Sequence, residues 1–188
     1  SASPNSMALI AWSCSFVPAV TEPVLAAIAA EVANRAAAFS VHSSIVMIIA
    51  FARPRYHAPA LFEEFGRELS SRLDECEIEH LVHLAWAFRA VDVRSERIFA
   101  EGSRFAELCS VRQARLLPTA LAELHRWQQW RDSVCAHGSG LDWPPLAEPL
   151  RSRCEHAARR ESTFENNVQG LLQSSLNSLL RVISSCQP

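Results

Sequence analysis

The sequence contains no lysine: all 18 basic residues are arginine. Such a bias follows from GC-rich coding, and it also suits bidentate contacts to phosphate or carboxylate. Glycine is scarce, at 5 in 188 residues. No Gly-rich loop is therefore available to cradle a phosphate or a dinucleotide. The G-x-S-x-G and H-E-x-x-H patterns are absent as well, which removes the common routes to acyl transfer and zinc hydrolysis. Tyr56 is the single tyrosine. Long strands would want more Tyr, Val, Ile and Thr. The six cysteines (Cys14, Cys76, Cys109, Cys135, Cys154 and Cys186) form no C-x-x-C pair. Their wide, single spacing argues against a zinc cluster and against a secreted disulfide framework. They read as small buried hydrophobes in a reducing compartment. The longest apolar run, Ile45 to Ala52, is far short of the roughly 20 residues of a membrane span. No signal-peptide pattern is visible, and a cleaved targeting segment would leave no trace.

What is present is alanine, leucine and arginine in quantity, a composition that favours helices. The formal net charge is −2 and the isoelectric point about 6.4. A free-standing nucleic-acid binder is usually basic, so any such role falls to local patches.

An internal repeat organises the chain. Ala11-Trp12, Ala50-Phe51, Ala85-Trp86 and Ala120-Leu121 recur at spacings of 39, 35 and 35 residues, each after aliphatic positions. A second marker follows the first three: Val24-Leu25, Leu61-Phe62 and Ile98-Phe99, spaced by 37 residues. Phe62, Phe65, Leu69 and Leu73 keep helical spacing, as do Ile98, Phe99, Phe105 and Leu108. Two markers per period imply two helices per repeat. Thr21-Glu22-Pro23, His57-Ala58-Pro59 and Ser95 supply helix starts between them. A two-helix unit cannot bury its apolar face alone, so neighbours must stack. The expected fold is all-α, an α-solenoid of tandem hairpins of 35–39 residues with a C-terminal helical cap. In it the alanines allow close approach, and Trp12, Phe51 and Trp86 fill the gaps between hairpins.

Residues 1–110 read as three such hairpins. Residues 111–137 read as an irregular fourth unit, where Pro118 starts a long helix that buries Leu121, Leu124 and Trp127 and displays Arg126 and Arg131. The stretch AHGSGLDWPPL breaks the pattern and marks a sub-domain boundary. The extension 138–188 follows, with helices expected near 145–160 and 162–185, the second opened by Ser162-Thr163-Phe164-Glu165.

Chemistry-bearing clusters are few. Glu79, His80 and His83, with Asp74, Glu75 and Glu77, have neither the convergence nor the open position of a metal site. They read as an acidic helix start placed favourably on the dipole. His137 and His156 stand alone. The arginines group more strongly: Arg53 and Arg55 after one repeat helix; Arg112, Arg115, Arg126 and Arg131 in the fourth unit; Arg151, Arg153, Arg159 and Arg160 near the end. These ten are the candidate contacts to RNA or to a protein partner. No metal ligand, cofactor or small-molecule substrate is expected.

The segment HLAWAFRAVDVRSERIFAE, His83 to Glu101, resembles the helical repeats of RAP-domain proteins, which include the FAST-kinase-like and octotricopeptide-repeat proteins. LAELHRWQQW, Leu121 to Trp130, is similar to the His-aromatic helix that follows those repeats. STFENNVQGLLQSSL, Ser162 to Leu176, is similar to the segment that leads into the RAP domain. The RAP domain itself would come next and is not among these residues, so a nuclease-like activity is not expected of them. The resemblance implies a non-catalytic scaffold on organelle RNA, most concretely a mitochondrial ribosome component that touches rRNA and neighbouring proteins. Mitochondrion is the implied location, with plastid as the alternative. The alternative function is a protein-binding adaptor or accessory subunit of another organelle complex, without RNA contact.

Overall fold

The structure is a computed structural model. It describes residues 2–32, 35–136 and 140–185, and of residues 170 and 174–185 the backbone only. Cys186, His137 and part of the Gly-rich stretch after Ala136 lie outside the described residues. The described residues are helical, without a strand. In order they form α1 (Pro4–Cys14), α2 (Pro18–Val32), α3 (Val41–Ala52), α4 (Pro59–Ser70), α5 (Ile78–Ala90), α6 (Glu96–Phe99), α7 (Phe105–Arg112), α8 (Pro118–Ala136) and α9 (Leu150–Ser185). Three short 3-10 turns, Ala36–Ala38, Leu73–Glu75 and Gln113–Arg115, precede α3, α5 and α8.

Helix starts set the period. Ser3 caps α1 by accepting from the Ser6 N–H, and Ser40 caps α3 from Ser43 in the same way, each at 3.1 Å. Glu77 caps α5 in a reciprocal box with His80. Ser3, Ser40 and Glu77 are 37 residues apart. The helix ends repeat too. After α3, Tyr56 N–H bonds Phe51 O and Arg55 takes φ 55°; after α5, Val93 N–H bonds Phe88 O and Asp92 takes φ 53°. Both are left-handed closures of one type, again 37 residues apart.

This step corrects the register read from the Ala-aromatic pairs. Phe51 aligns with Phe88, not with Trp86, and both phenylalanines are fully buried. Trp12 aligns with Ile49 and Trp86, and all three are only half-buried. Ala11, Ile48 and Ala85 form the fully buried row beside them. The alanine reading therefore holds at Ala11 and Ala85, while Trp12 and Trp86 lie at the edge of the interface they were expected to fill.

α1 packs on α3, α3 on α5, α5 on α8 and α8 on α9. Asn5 meets Ser43, and the His42 ring meets His80, so helix starts face helix starts and the row is parallel. α2 lies on α1, α4 on α3 and on α6, and α7 on α5. The buried side chains from Met7 to Ala157 form one continuous cluster. At its centre Phe99 touches Phe88, Phe105, Trp127 and Trp143, with ring centroids 5.0–5.6 Å apart. Aromatic pairs of this geometry add to the value of burial alone.

Three expected elements differ. α2 starts at Pro18, so Pro23 lies inside it; Thr21 is buried and donates to Cys14 O and Val17 O rather than capping. The helix expected through Ile98 and Leu108 is split at Gly102 (φ 87°) and Arg104 (φ 63°), although Ile98, Phe99, Phe105 and Leu108 are all buried. The two C-terminal helices are one, α9, in which Thr163 donates to Arg159 O and so continues the helix instead of starting one.

Gly66 of α4 allows close approach to the third unit: a Cβ there would sit 3.0 Å from Ser95 Oγ. Ser95 Oγ is itself buried without a partner. Ser95→Ala is expected to be neutral or stabilising by about 1 kcal/mol, because it removes an unpaired buried hydroxyl; chemical denaturation measures it. Ala85→Leu is expected to destabilise by about 1–3 kcal/mol through overpacking.

Burial pushes the Cys76 thiol up to about 11 and Cys154 to about 12, and raises Cys109 further still. Thiolate is the reactive form. Alkylation at pH 8 is therefore expected to spare Cys76, Cys109 and Cys154 in the folded chain while half-buried Cys14 and Cys135 react; peptide mass spectrometry before and after unfolding reads the difference.

Candidate interface along the last two helices

The arginines expected to meet a partner divide into three groups. The first is used between repeat units. Arg112 belongs to a series with Arg35 and Arg72, which were not among the candidates, and each of the three stands immediately before one of the 3-10 turns. Arg72 Nη1 donates at 3.1 Å to the carbonyl of Phe39, the residue whose N–H closes the first turn on Ala36 O. Arg112 donates to the carbonyl of Cys76, whose N–H closes the second turn on Leu73 O, and to Asp74 O at 3.0 Å. Arg153, from α9, donates to Gln113 O at 3.1 Å and to Gln113 Oε1 at 2.9 Å, at the third turn. Arg72 and Arg112 each reach back to a carbonyl at the preceding turn, and Arg153 joins Leu116 N–H on Gln113 O.

The second group is paired elsewhere within the fold. Arg126 bridges Glu123 (2.7 Å) and Glu161 (2.6 Å), fastening α8 to α9. Arg131 donates to Trp143 O and pairs with Asp132 at 2.7 Å; its side chain is 14% exposed. It is therefore not displayed by α8, as the sequence suggested, but holds the returning chain. Gln128 helps it by accepting from Leu146 N–H at 2.8 Å. Trp143 and Leu146 are buried between. Arg53 stacks over Phe16 (4.0 Å to the centroid) and Trp12 (5.0 Å), joining the end of α3 to the first unit. Arg151 and Arg159 flank Glu155 at 3.7 and 3.4 Å on the exposed side of α9; such pairs contribute little.

The third group is Arg55, Arg115 and Arg160, exposed and without an ion-pair or hydrogen-bond partner among the described residues. Arg160 borders an open groove of about 630 Å³ between the start of α8 and α9, floored by Pro118, Leu121, Ala157 and Phe164, with His156 beside it. Nearby, Val111, Leu117, Phe164, Leu171 and Leu172 are each more than 60% exposed. The arginines are legible in the residues; the apolar floor is not, because it needs α9 to lie parallel against α8.

The acidic histidine segment does not converge on a point. Among the described residues no group of three His, Cys, Asp or Glu side chains could hold a metal ion. Instead His80 Nδ1 accepts from Glu77 N–H at 3.2 Å, and its ring meets His42 with centroids 5.9 Å apart. Burial first, and then His42, hold the His80 pKa below its ordinary value near 6.5, against the pull of Glu77 and Glu79.

Two tests follow from these contacts. Arg112→Gln is expected to lose about 1.5–3 kcal/mol, since charge-assisted bonds to two carbonyls are left unmade. Arg72→Gln is expected to lose less, because Glu75 shares its guanidinium. For His80, the folded state binds a proton less readily than the unfolded one. Its contribution to stability is complete above pH 6.5 and falls as the pH drops below it. Thermal melting from pH 7.5 to 5.5 is expected to show that loss, and His42→Gln to diminish it.

Among the described residues no helix is long and apolar enough to cross a membrane. No family model, no curated protein and no solved structure matches the chain.

Proposed function

We propose that this chain is a non-catalytic helical-repeat scaffold, an α-solenoid of tandem hairpins, within an organelle RNA assembly. The carrying observation is that its cross-unit bonds all span close to one period of the sequence. Asn5–Ser43, Arg72–Phe39, Arg112–Cys76 and Trp130–Asp92 join residues 38, 33, 36 and 38 positions apart. Bonds of that kind join each unit to the next, which is the logic of a repeat array. Such arrays present extended surfaces to partners.

The RNA side of the reading rests on the resemblance of His83–Glu101, Leu121–Trp130 and Ser162–Leu176 to RAP-domain proteins, and on the cations left over by the fold. Arg55, Arg115 and Arg160 have no ion-pair or hydrogen-bond partner among the described residues, and Arg159 is 79% exposed on the same stretch of α9 as Arg160. Within an assembly, neighbours share the electrostatic work, so a net charge of −2 is no bar. A mitochondrial ribosome contacting rRNA is the most concrete setting, with a plastid assembly as the alternative location.

A second reading, a protein-binding adaptor without RNA contact, draws on two observations. Arg112, Arg126, Arg131 and Arg153 are spent inside the fold. The first unit also exposes Leu9, Ile10, Phe16 and Val17 at 48–53% each, a large apolar end for a protein neighbour.

Gentle purification of the native complex followed by ultraviolet crosslinking separates the two. The RNA reading expects crosslinked peptides around Arg115 and Arg159-Arg160. Replacing Arg115, Arg159 and Arg160 with Gln is expected to lower the salt dependence of RNA binding by roughly 0.7–0.9 in log–log slope per lost contact. Co-migration in a protein-only complex with no crosslink would sink it.

A further inference from the structure

Position by position, α1 is exposed where its counterparts are buried. One 37-residue step takes Ser6, Ile10 and Ser13 to Ser43, Met47 and Ala50 of α3, and a second step reaches His80, Leu84 and Ala87 of α5. Met47, Ala50, Leu84 and Ala87 are 0% exposed; Ser43 is buried and His80 half-buried. Ile10, by contrast, is 48% exposed, and Ser6 and Ser13 are exposed with it. At 100° per residue each trio keeps to one side of its helix. In α3 and α5 that side faces the preceding helix: Ser43 donates to Asn5 Oδ1 at 3.4 Å, and the His80 ring meets His42. α1 therefore carries the receiving side of the repeat joint, exposed.

We infer that this side of α1 is the docking face for one further helical hairpin of the same kind, its first helix parallel to α1, carried by a neighbouring protein of the assembly. The inference rests on the repeat-array reading above. The two internal joints show what seats there. On the side away from the receiving stripe, α1 buries Ala8, Ala11 and Ser15, and α3 buries Ile45, Ile48 and Ala52. These are small or aliphatic and carry no charge. The face on α1 matches them, since no charged residue occurs before Glu22. It offers nothing to a phosphate or to an acidic segment. A second copy fits poorly. The far end of its row, α9, carries Arg151, Glu155 and Arg159 on the exposed side. Two copies of the 11-residue α1, pressed together along about 16 Å, bury on the order of 400 Å², far short of a stable dimer. A face this small holds its occupant where other contacts of an assembly share the load.

The probe is the chain's own unit. Residues 3–39, one period, are placed a second time ahead of Ser3 in the full chain; Phe39 then runs into Ser3 as it runs into Ser40, the equivalent cap. The added unit is expected to fold, so that helical circular dichroism per residue holds and amide exchange in the original α1 slows about tenfold or more. Ile10→Glu in that original α1 is expected to abolish the slowing. The same substitution in the chain without the added unit is expected to leave melting unchanged, because Ile10 is exposed there. An added unit that stays unfolded, or an original α1 that exchanges as before, overturns the inference. In the native complex, Ile10→Cys is expected to react with maleimide about tenfold more slowly than in the isolated chain, as read by peptide mass spectrometry. Equal labelling in the two overturns the inference. Ultraviolet crosslinks from α1 to RNA assign the face to RNA and overturn it too. The RNA setting fails separately: protection at Ile10 without crosslinks around Arg115 and Arg159-Arg160 sinks that setting and leaves the docking face standing.

Discussion

Every joint between units depends on the carbonyls left over where one unit gives way to the next. A helix ends with acceptors that have no partner, and a 3-10 turn satisfies only some of them. Here the remedy comes from the following unit. Arg72 bonds Phe39 O, Arg112 bonds Cys76 O, and Arg153 bonds Gln113 O. The same contact does two things at once. At Phe39 and Cys76 it gives a donor to a carbonyl at a partly buried turn, and at all three turns it fixes how far one unit stands from the next. The fully buried row of Ala11, Ile48 and Ala85 works within that spacing.

The pattern changes at α8. Its 19 residues make it about 28 Å long, against 11 to 13 residues in α1, α3 and α5. α2 and α4 each carry the chain back as a single helix, and α6 and α7 do so as a split pair; after α8 the described stretch 140–149 is irregular chain. Its backbone groups would be left without partners against the core, and Gln128 and Arg131 supply them. Its apolar content is concentrated in Trp143 and Leu146, which complete the aromatic cluster around Phe99. α9 then takes the next place in the parallel row, and past Glu161 its described side chains are exposed.

Much of this was legible in the residues. The all-helical character, the paired markers Leu61-Phe62 and Ile98-Phe99, the start of α4 at Pro59 and of α8 at Pro118 all follow from composition, period and proline placement. The register of the first helices was misread because Ala-Phe and Ala-Trp look alike in sequence, whereas the capping residues Ser3, Ser40 and Glu77 carry the true step. The roles of the arginines were not legible. Whether a guanidinium meets a backbone carbonyl or solvent depends on which turn lies across from it. Even so, the series Arg35, Arg72 and Arg112, each four residues before a buried Phe39, Cys76 or Leu116, is a signal that the pattern of apolar residues alone hides.

The offset that joins the units also bears on how the chain reaches its fold. The cross-unit bonds described above span 33 to 40 residues, one unit and no more. Closing a loop costs entropy that grows with its length, so contacts of this reach are inexpensive to make. Each unit needs only its predecessor as a template. Order can therefore spread along the chain as it emerges during synthesis, with the N-terminal hairpin in place before α8 and α9 have been made.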